Sequence, residues 1–207
     1  VLVLLGGNDA NWRIQHNVLH HTYTNVNNMD EDIAPPPFIL RFSPHTKRLK
    51  IHRFQHIYAY FFYGLMTIMW FVSKDYQQAK RYHEMDLVKT QGLTIRKHIF
   101  NIVFNKLIYA FVFLALPFWL SPASWYVTLL GFLLMQFICG FILGIIFQPA
   151  HVVPTSTYPL PDATGDIEAD WAVSQMYNTA NFAQKAKLFS WYVGGLNYQV
   201  EHHLFPN

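Results

Sequence analysis

Apolar positions along the chain are gathered into runs separated by polar stretches. The two longest are residues 100–120, FNIVFNKLIYAFVFLALPFWL, and residues 125–147, WYVTLLGFLLMQFICGFILGIIF. Each reaches the roughly 20 residues needed to cross about 30 Å of hydrocarbon. Only SPAS, residues 121–124, lies between them, so the pattern predicts an antiparallel helical hairpin in a membrane. Lys106 interrupts the first run. With the span starting near Ile102, its ammonium is expected to snorkel to the lipid boundary. A third run, IYAYFFYGLMTIMWFV at 57–72, has 16 residues and is rich in Tyr and Trp. It is short for a span, and its aromatic rings favour the membrane interface.

Charge gives the pattern a direction. Fourteen of the fifteen Lys and Arg lie outside the two long runs, and none lies in 121–124. By the positive-inside rule that loop faces away from the cytoplasm, and the polar segments flanking the hairpin share the cytoplasmic side. Parity then requires run 57–72 to lie in the interface, or to dip in and return. The expected fold is all-α, a multi-pass membrane bundle with a histidine-rich cytoplasmic cap, forming a single domain over 1–207. Both ends read as cut. The opening VLVLLGG has no methionine or basic n-region and is too short for a signal peptide, and the close is HHLFPN. The expectation is a fragment truncated at both ends.

Composition supports the division into two environments. Hydrophobic residues make up 52% and charged residues 13%, against about 25% charged in an ordinary soluble domain. Mean hydropathy is only +0.13, so a polar part must accompany the membrane part. The net charge of +3 is modest, and the basic residues form no aromatic-interleaved face, which argues against nucleic acid. Cys139 is the single cysteine, which excludes an intrachain disulfide and a cysteine-based zinc site. There is no phosphate-binding glycine loop and no Gly-x-Ser-x-Gly elbow.

Eleven histidines are the excess that remains. HNVLHH, residues 16–21, spaces three of them as His-x-x-x-His-His. On an α-helix His16 and His20 share a face, and His21 lies about 100° round from His20. A two-ion site uses such a set, with two rings on one ion and the third on its neighbour. QVEHH, residues 199–203, repeats the logic with Gln199 upstream of the diverging pair His202 and His203. His151, just past the uncharged run, is expected at the cytoplasmic mouth of the hairpin beside both clusters. Histidine-rich ligation without thiolate leaves iron and zinc as the main candidates. Glu201 and Asn197 are placed to orient an imidazole through its second nitrogen. His45, His52, His56, His83 and His98 read as polar tips at an interface.

HNVLHH and QVEHH resemble the second and third histidine boxes of the membrane fatty-acid desaturases. Glutamine at the head of the last box resembles the front-end subgroup, which includes linoleoyl-CoA (delta-6) desaturases. NWRIQHNVLHHTYTN, GGLN and QVEHHLFP carry the resemblance, which extends across essentially the whole chain. It implies two iron ions held by histidines from three boxes, plus one histidine just after the fourth transmembrane helix, the position of His151. The implied metal ligands are His16, His20, His21, His151, Gln199, His202 and His203. The family's first box precedes the second, and none precedes His16 here. A fragment without the first membrane hairpin and its ligands is therefore expected to be inactive alone, the full parent being the enzyme.

The resemblance further implies oxygen-dependent desaturation of a fatty acyl-CoA or acyl-lipid. Dioxygen is the co-substrate, with two electrons from a cytochrome b5 or ferredoxin-type donor protein. Two neighbouring methylenes lose hydrogen, giving a cis double bond and water. An acyl chain has no polar handle at the reacting carbons, so an apolar tunnel and headgroup anchoring must select them. Trp171, Gln175 and Asn178, in DWAVSQMYNTANF at 170–182, are expected to line or cap that tunnel, with plain packing and capping as the alternative. The basic residues of 41–53 and 73–98 read as a solvated positive-inside face. A di-iron hydroxylase or ketolase uses similar boxes. A zinc-dependent membrane hydrolase needs only about three protein ligands and a water, fewer than the six histidines gathered here. A non-catalytic scaffold has no use for converging histidine groups.

Overall fold

The structure, a computed structural model, describes residues 2–206. Among them every regular element is helical. Helix α1 (Asp9–Trp12) starts at Asn8, whose side-chain oxygen accepts the backbone N–H of Ala10 and Asn11. It leads into a π-helical segment, Arg13–His20. Next come α2 (Gln55–Gly64), α3 (Met66–Met69), α4 (Asp75–Glu84) and α5 (Leu87–Thr90). Then follow α6 (Ile95–Ala110), α7 (Leu116–Leu120), α8 (Trp125–His151), α9 (Trp171–Asn178), α10 (Lys187–Tyr192) and α11 (Gln199–Leu204). The chain divides into two compact units. One is Val1–Ile14 with Tyr60–Gly144, and the other is Gln15–Ala59 with Ile145–Asn207.

The first unit is built on two apolar helical stretches. Ile95–Leu120 and Trp125–His151, the latter running on past Gly144 into the second unit, each contain an 18-residue window of high mean hydropathy, 2.0 and 2.5, and are long and apolar enough to cross a membrane. Their outward faces carry Leu107, Phe104, Phe111, Leu130 and Leu134, all exposed. Such a continuous apolar surface on a long helix suits lipid rather than water. Tyr109 lies twelve residues before Ser121 and Gln136 twelve after Ser124, and Gln136 Nε2 donates to the Tyr109 hydroxyl at 3.0 Å. That symmetry about the loop is the register of an antiparallel hairpin.

Residues 60–71 run antiparallel along the second helix of this hairpin: Gly144 faces Tyr63, Gly140 faces Gly64, Gln136 meets Thr67 and Phe132 meets Phe71. The Thr67 hydroxyl donates to the Gln136 carbonyl at 2.7 Å. A Cβ on Gly140 would lie 2.7 Å from the Gly64 carbonyl oxygen, and one on Gly64 would lie 2.3 Å from the Phe137 ring. Only glycine permits that approach of two helical backbones. On the neighbouring helix, Lys106 Nζ donates to the Trp70 carbonyl at 2.7 Å and to Asp75 Oδ2 at 2.7 Å. Gly140 stands sixteen residues past Ser124 and Lys106 fifteen before Ser121.

Lys106 departs from expectation. Instead of snorkelling, its side chain is 9% exposed and turns inward, and a third bond goes to the Gly6 carbonyl at 3.0 Å. The cause is Asp75, 1% exposed, which also accepts from Asn11 Nδ2 at 3.2 Å. A charge with three acceptors inside the fold is better solvated than one stretched along lipid. His98 also departs from its reading as a polar tip, being completely buried in this unit.

In the second unit the α10–α11 connection is set by Gly194 and Gly195, at φ +63° and +83°. Two successive left-handed residues end α10 and turn the chain into α11, and glycine accepts both without strain.

Lys106→Met should leave the Asp75 carboxylate buried without its partner and lower stability by about 3–5 kcal/mol. Thermal melting of the detergent-solubilised protein measures it, and adding Asp75→Leu should recover part of the loss.

Candidate metal centre

The segment bearing the first histidine group is not an α-helix. Residues Arg13–His20 are π-helical, and the His21 N–H bonds to the His16 carbonyl, five residues back, at 3.0 Å. In a π-helix the near neighbours are i and i+5. His21 is therefore brought round to His16, and their Nε2 atoms lie 3.2 Å apart. His16 and His20 share a face as the spacing predicts, their rings stacked at 5.6 Å.

Helix α11 adds one ring to each side. His202 Nε2 lies 3.4 Å from His16 Nε2. The His203 ring lies 4.8 Å from both His20 and His151, which are themselves 4.6 Å apart. The result is two triads, His16–His21–His202 and His20–His151–His203, with donor atoms within 4.8 Å of one another in each. The triads touch, for the His21 and His203 rings stack at 4.3 Å. All six histidines belong to the second unit.

The donor chemistry suits metal ions. Nitrogens about 3.3 Å apart are the spacing of donors that lie ~2 Å from a shared ion. His21 Nδ1, His151 Nδ1 and His203 Nε2 are buried without a hydrogen-bond partner, a costly state for a lone pair or an N–H. Metal ligation also needs neutral imidazole. Burial, then the neighbouring rings, pushes His16 down to about 2 and His21 down to about 4. Burial and the adjacent His151 and His20 likewise lower His203. Burial lowers His202 as well.

His20 behaves differently. Burial opposes its charge, but Asp30 and then Asp32 outweigh burial and raise it to about 9. Both Asp30 carboxylate oxygens lie 3.1 Å from His20 Nδ1. Asp32 Oδ2 is 3.5 Å away. The Asp30 side chain is completely buried, and it accepts the backbone N–H of Asn25 at 2.8 Å and of Asp32 at 2.9 Å. Burial works against its ionised form, and His20 and these bonds hold its pKa below the ordinary value.

Trp171, Gln175 and Asn178 all make hydrogen bonds to the histidines or to the segment that carries them. Gln175, 1% exposed, puts Oε1 2.9 Å from His203 Nδ1. The Thr24 hydroxyl lies 2.8 Å from the same oxygen and 2.6 Å from the His20 carbonyl. Asn178, also buried, donates from Nδ2 to the Thr24 carbonyl at 2.8 Å. Trp171, half exposed, donates from Nε1 to the His21 carbonyl at 2.9 Å. Gln199 is buried one turn before His203, and its amide N–H turns back to the Leu196 carbonyl.

The two expected orienting residues bind elsewhere. Asn197 Nδ2 donates to the Phe182 carbonyl at 3.1 Å and to the Ser190 hydroxyl at 2.9 Å. Exposed Glu201 accepts from Asn181 Nδ2 at 2.7 Å. On a helix, Glu201 precedes His202 by one position and so faces away from it. Sequence reasoning missed Asp30, Thr24 and Asn25. Asn25 sits at φ +60°. Its Nδ2 is shared among the carbonyls of His151, Thr157 and Asn178 at 3.0–3.1 Å. The signal was present in the polar run TYTNVNNMDED, which is rich in residues that bond their own turns.

Comparison with known proteins gives the family. The fatty acid desaturase family model matches residues 1–207, and the chain belongs to that family. It is 34% identical over 199 residues to an sn-1 linoleoyl-lipid 6-desaturase of Synechocystis, covering 95% of this chain and 54% of the relative. It is 36% identical over 207 residues to an acyl-lipid (8-3)-desaturase of Physcomitrium patens, covering 99% and 42%. With delta(5) fatty acid desaturase A of Dictyostelium discoideum the identity is 32%, covering 98% and 44%. The chain thus spans about half the length of these curated relatives. No solved structure matches it.

Asn25→Ala should remove the donor shared by these carbonyls, of which that of His151 keeps the Tyr158 hydroxyl, and strain the left-handed backbone, lowering stability by about 2–3 kcal/mol. Asn25→Gly, which accepts the same φ, isolates the hydrogen-bond part. Paired thermal melts give both numbers.

Proposed function

We propose that the protein is an oxygen-dependent acyl desaturase, with a di-iron centre held by His16, His21 and His202 on one side and His20, His151 and His203 on the other. The observation that carries this reading is the double triad, since one ion uses about three protein ligands and six rings suit two ions. Family membership selects iron over zinc. When bound, the irons supply the dioxygen chemistry by which two neighbouring methylenes lose hydrogen, with two electrons and two protons taken up and two waters formed.

The chain's own residues prepare that chemistry. The π-helical turn and α11 aim the imidazole nitrogens inward, and burial favours the neutral form of His16, His21, His202 and His203. Asp30 and Gln175 hold the outer nitrogens of His20 and His203. Gln199, buried on α11, is proposed as a further ligand on its position alone. Trp171 and Asn178 hold the backbone of the histidine segment. Trp171, half exposed, is also placed to meet an acyl chain. Close packing around His20, His151 and His203, all buried, excludes water that would quench a strong oxidant.

The relatives' names favour a lipid-linked acyl substrate over an acyl-CoA, and a double bond in the front-end class. The electron donor is a cytochrome b5 or ferredoxin-type protein. The chain is read as one desaturase domain of an integral, multi-pass membrane protein. Its helical hairpin crosses the bilayer, the segment near 57–72 dips in along the second hairpin helix and returns, and the histidines face the cytoplasm, as the distribution of Lys and Arg favours.

Expression of the complete gene in a host of simple lipid composition, with fatty acids read by mass spectrometry, tests the proposal. A new polyunsaturated acyl chain is expected, and His21→Ala and His203→Ala should each abolish it. A hydroxylated chain would instead mark a hydroxylase. One zinc per chain without iron would mark a hydrolase. An unaltered lipid profile would leave a scaffold.

A further inference from the structure

Two of the six rings have their outer nitrogen committed to an acceptor that cannot release it. His20 Nδ1 faces both oxygens of Asp30 at 3.1 Å, and a carboxylate only accepts. His203 Nδ1 faces Gln175 Oε1 at 2.9 Å. Each Nδ1 is therefore a protonated nitrogen, which leaves Nε2 as the nitrogen either ring can offer to a metal, His20 giving up its second proton there on binding. His203 Nε2 is indeed buried with no hydrogen-bond partner. Both rings belong to the same triad, with His151. Asp30 and Gln175 are themselves fixed: Asp30 by the N–H groups of Asn25 and Asp32, Gln175 by the Thr24 hydroxyl. Asp30 and Gln175 are both at most 1% exposed.

We propose that Asp30 and Gln175 are positioning residues that set the tautomers of His20 and His203, so that their removal empties the His20–His151–His203 position while the His16–His21–His202 position keeps its ion. The proposal rests on the di-metal reading above. The mechanism is ordinary for metal sites. A partner on the far nitrogen fixes ring orientation and raises ligand basicity, and its loss costs about 10–100-fold in metal affinity. Asp30 adds a full negative charge on one triad. Gln175 adds only an acceptor, so the two residues separate charge from orientation.

The test uses the full-length protein in detergent, loaded with ferrous iron without oxygen and then desalted. Iron per chain is counted, and its release to a chelator is timed. The wild type should hold two irons. Asp30→Leu and Gln175→Leu should each hold one, or release one about 10–100-fold faster with the other unchanged. Gln175→Glu keeps an acceptor at the same place and should retain two. Melting of the metal-free variants checks that they fold. If Asp30→Leu does not melt cooperatively, the Gln175→Leu and Gln175→Glu pair decides alone. Two irons with wild-type release in Asp30→Leu and Gln175→Leu overturn the proposal, as does equal loss of both irons. A wild type that binds no iron overturns the di-metal reading instead.

Discussion

Six imidazoles packed against one another have lone pairs and N–H groups that must be told apart, and that constraint organises the second unit. Unfixed, such a cluster loses hydrogen bonds with every wrong tautomer and gains charge repulsion with every stray proton. The surrounding chain removes the choice. Asp30 accepts the Nδ1–H of His20, Gln175 accepts that of His203, and burial favours the neutral form of His16, His21 and His203. These supports are held in turn by Thr24, Asn25 and Asn178. Polar residues are thus spent in layers around a small volume, where an ordinary core would be aliphatic.

The first unit meets the opposite demand. Its outward surface is apolar, and polar groups are retained only where each has a partner: Lys106 with Asp75, Thr67 with the Gln136 carbonyl, Gln136 with Tyr109. These bonds lie where residues 60–75 pack along the two long helices. Gly64 and Gly140 let the backbones approach there, and the ion pair fixes the register.

Much of this was legible in the chain. The two long helices follow from uninterrupted hydropathy, which needs no tertiary information. The six histidines follow from motif and spacing, because few roles other than metal ligation use adjacent histidines twice. What spacing did not reveal is which rings pair. Periodicity assumes 3.6 residues per turn, and the segment before His21 adopts a wider turn that no residue type announces. Gln175 and Asp30 were hidden for another reason. Each acts through a contact far along the chain from the ring it serves, or inside an irregular turn, where local pattern carries no distance information. Lys106 was misread because a lone cation in an apolar run has no visible partner until the fold supplies Asp75.

The wide turn at 13–20 has a consequence for anyone copying this motif. Grafting His-x-x-x-His-His onto an idealised helical scaffold would rotate the third imidazole away from the first and scramble the pairing, however faithful the string. A transplant has to carry the extra residue per turn along with the letters, and removing one residue upstream of His16 here would leave the sequence signature intact while dismantling the geometry it encodes.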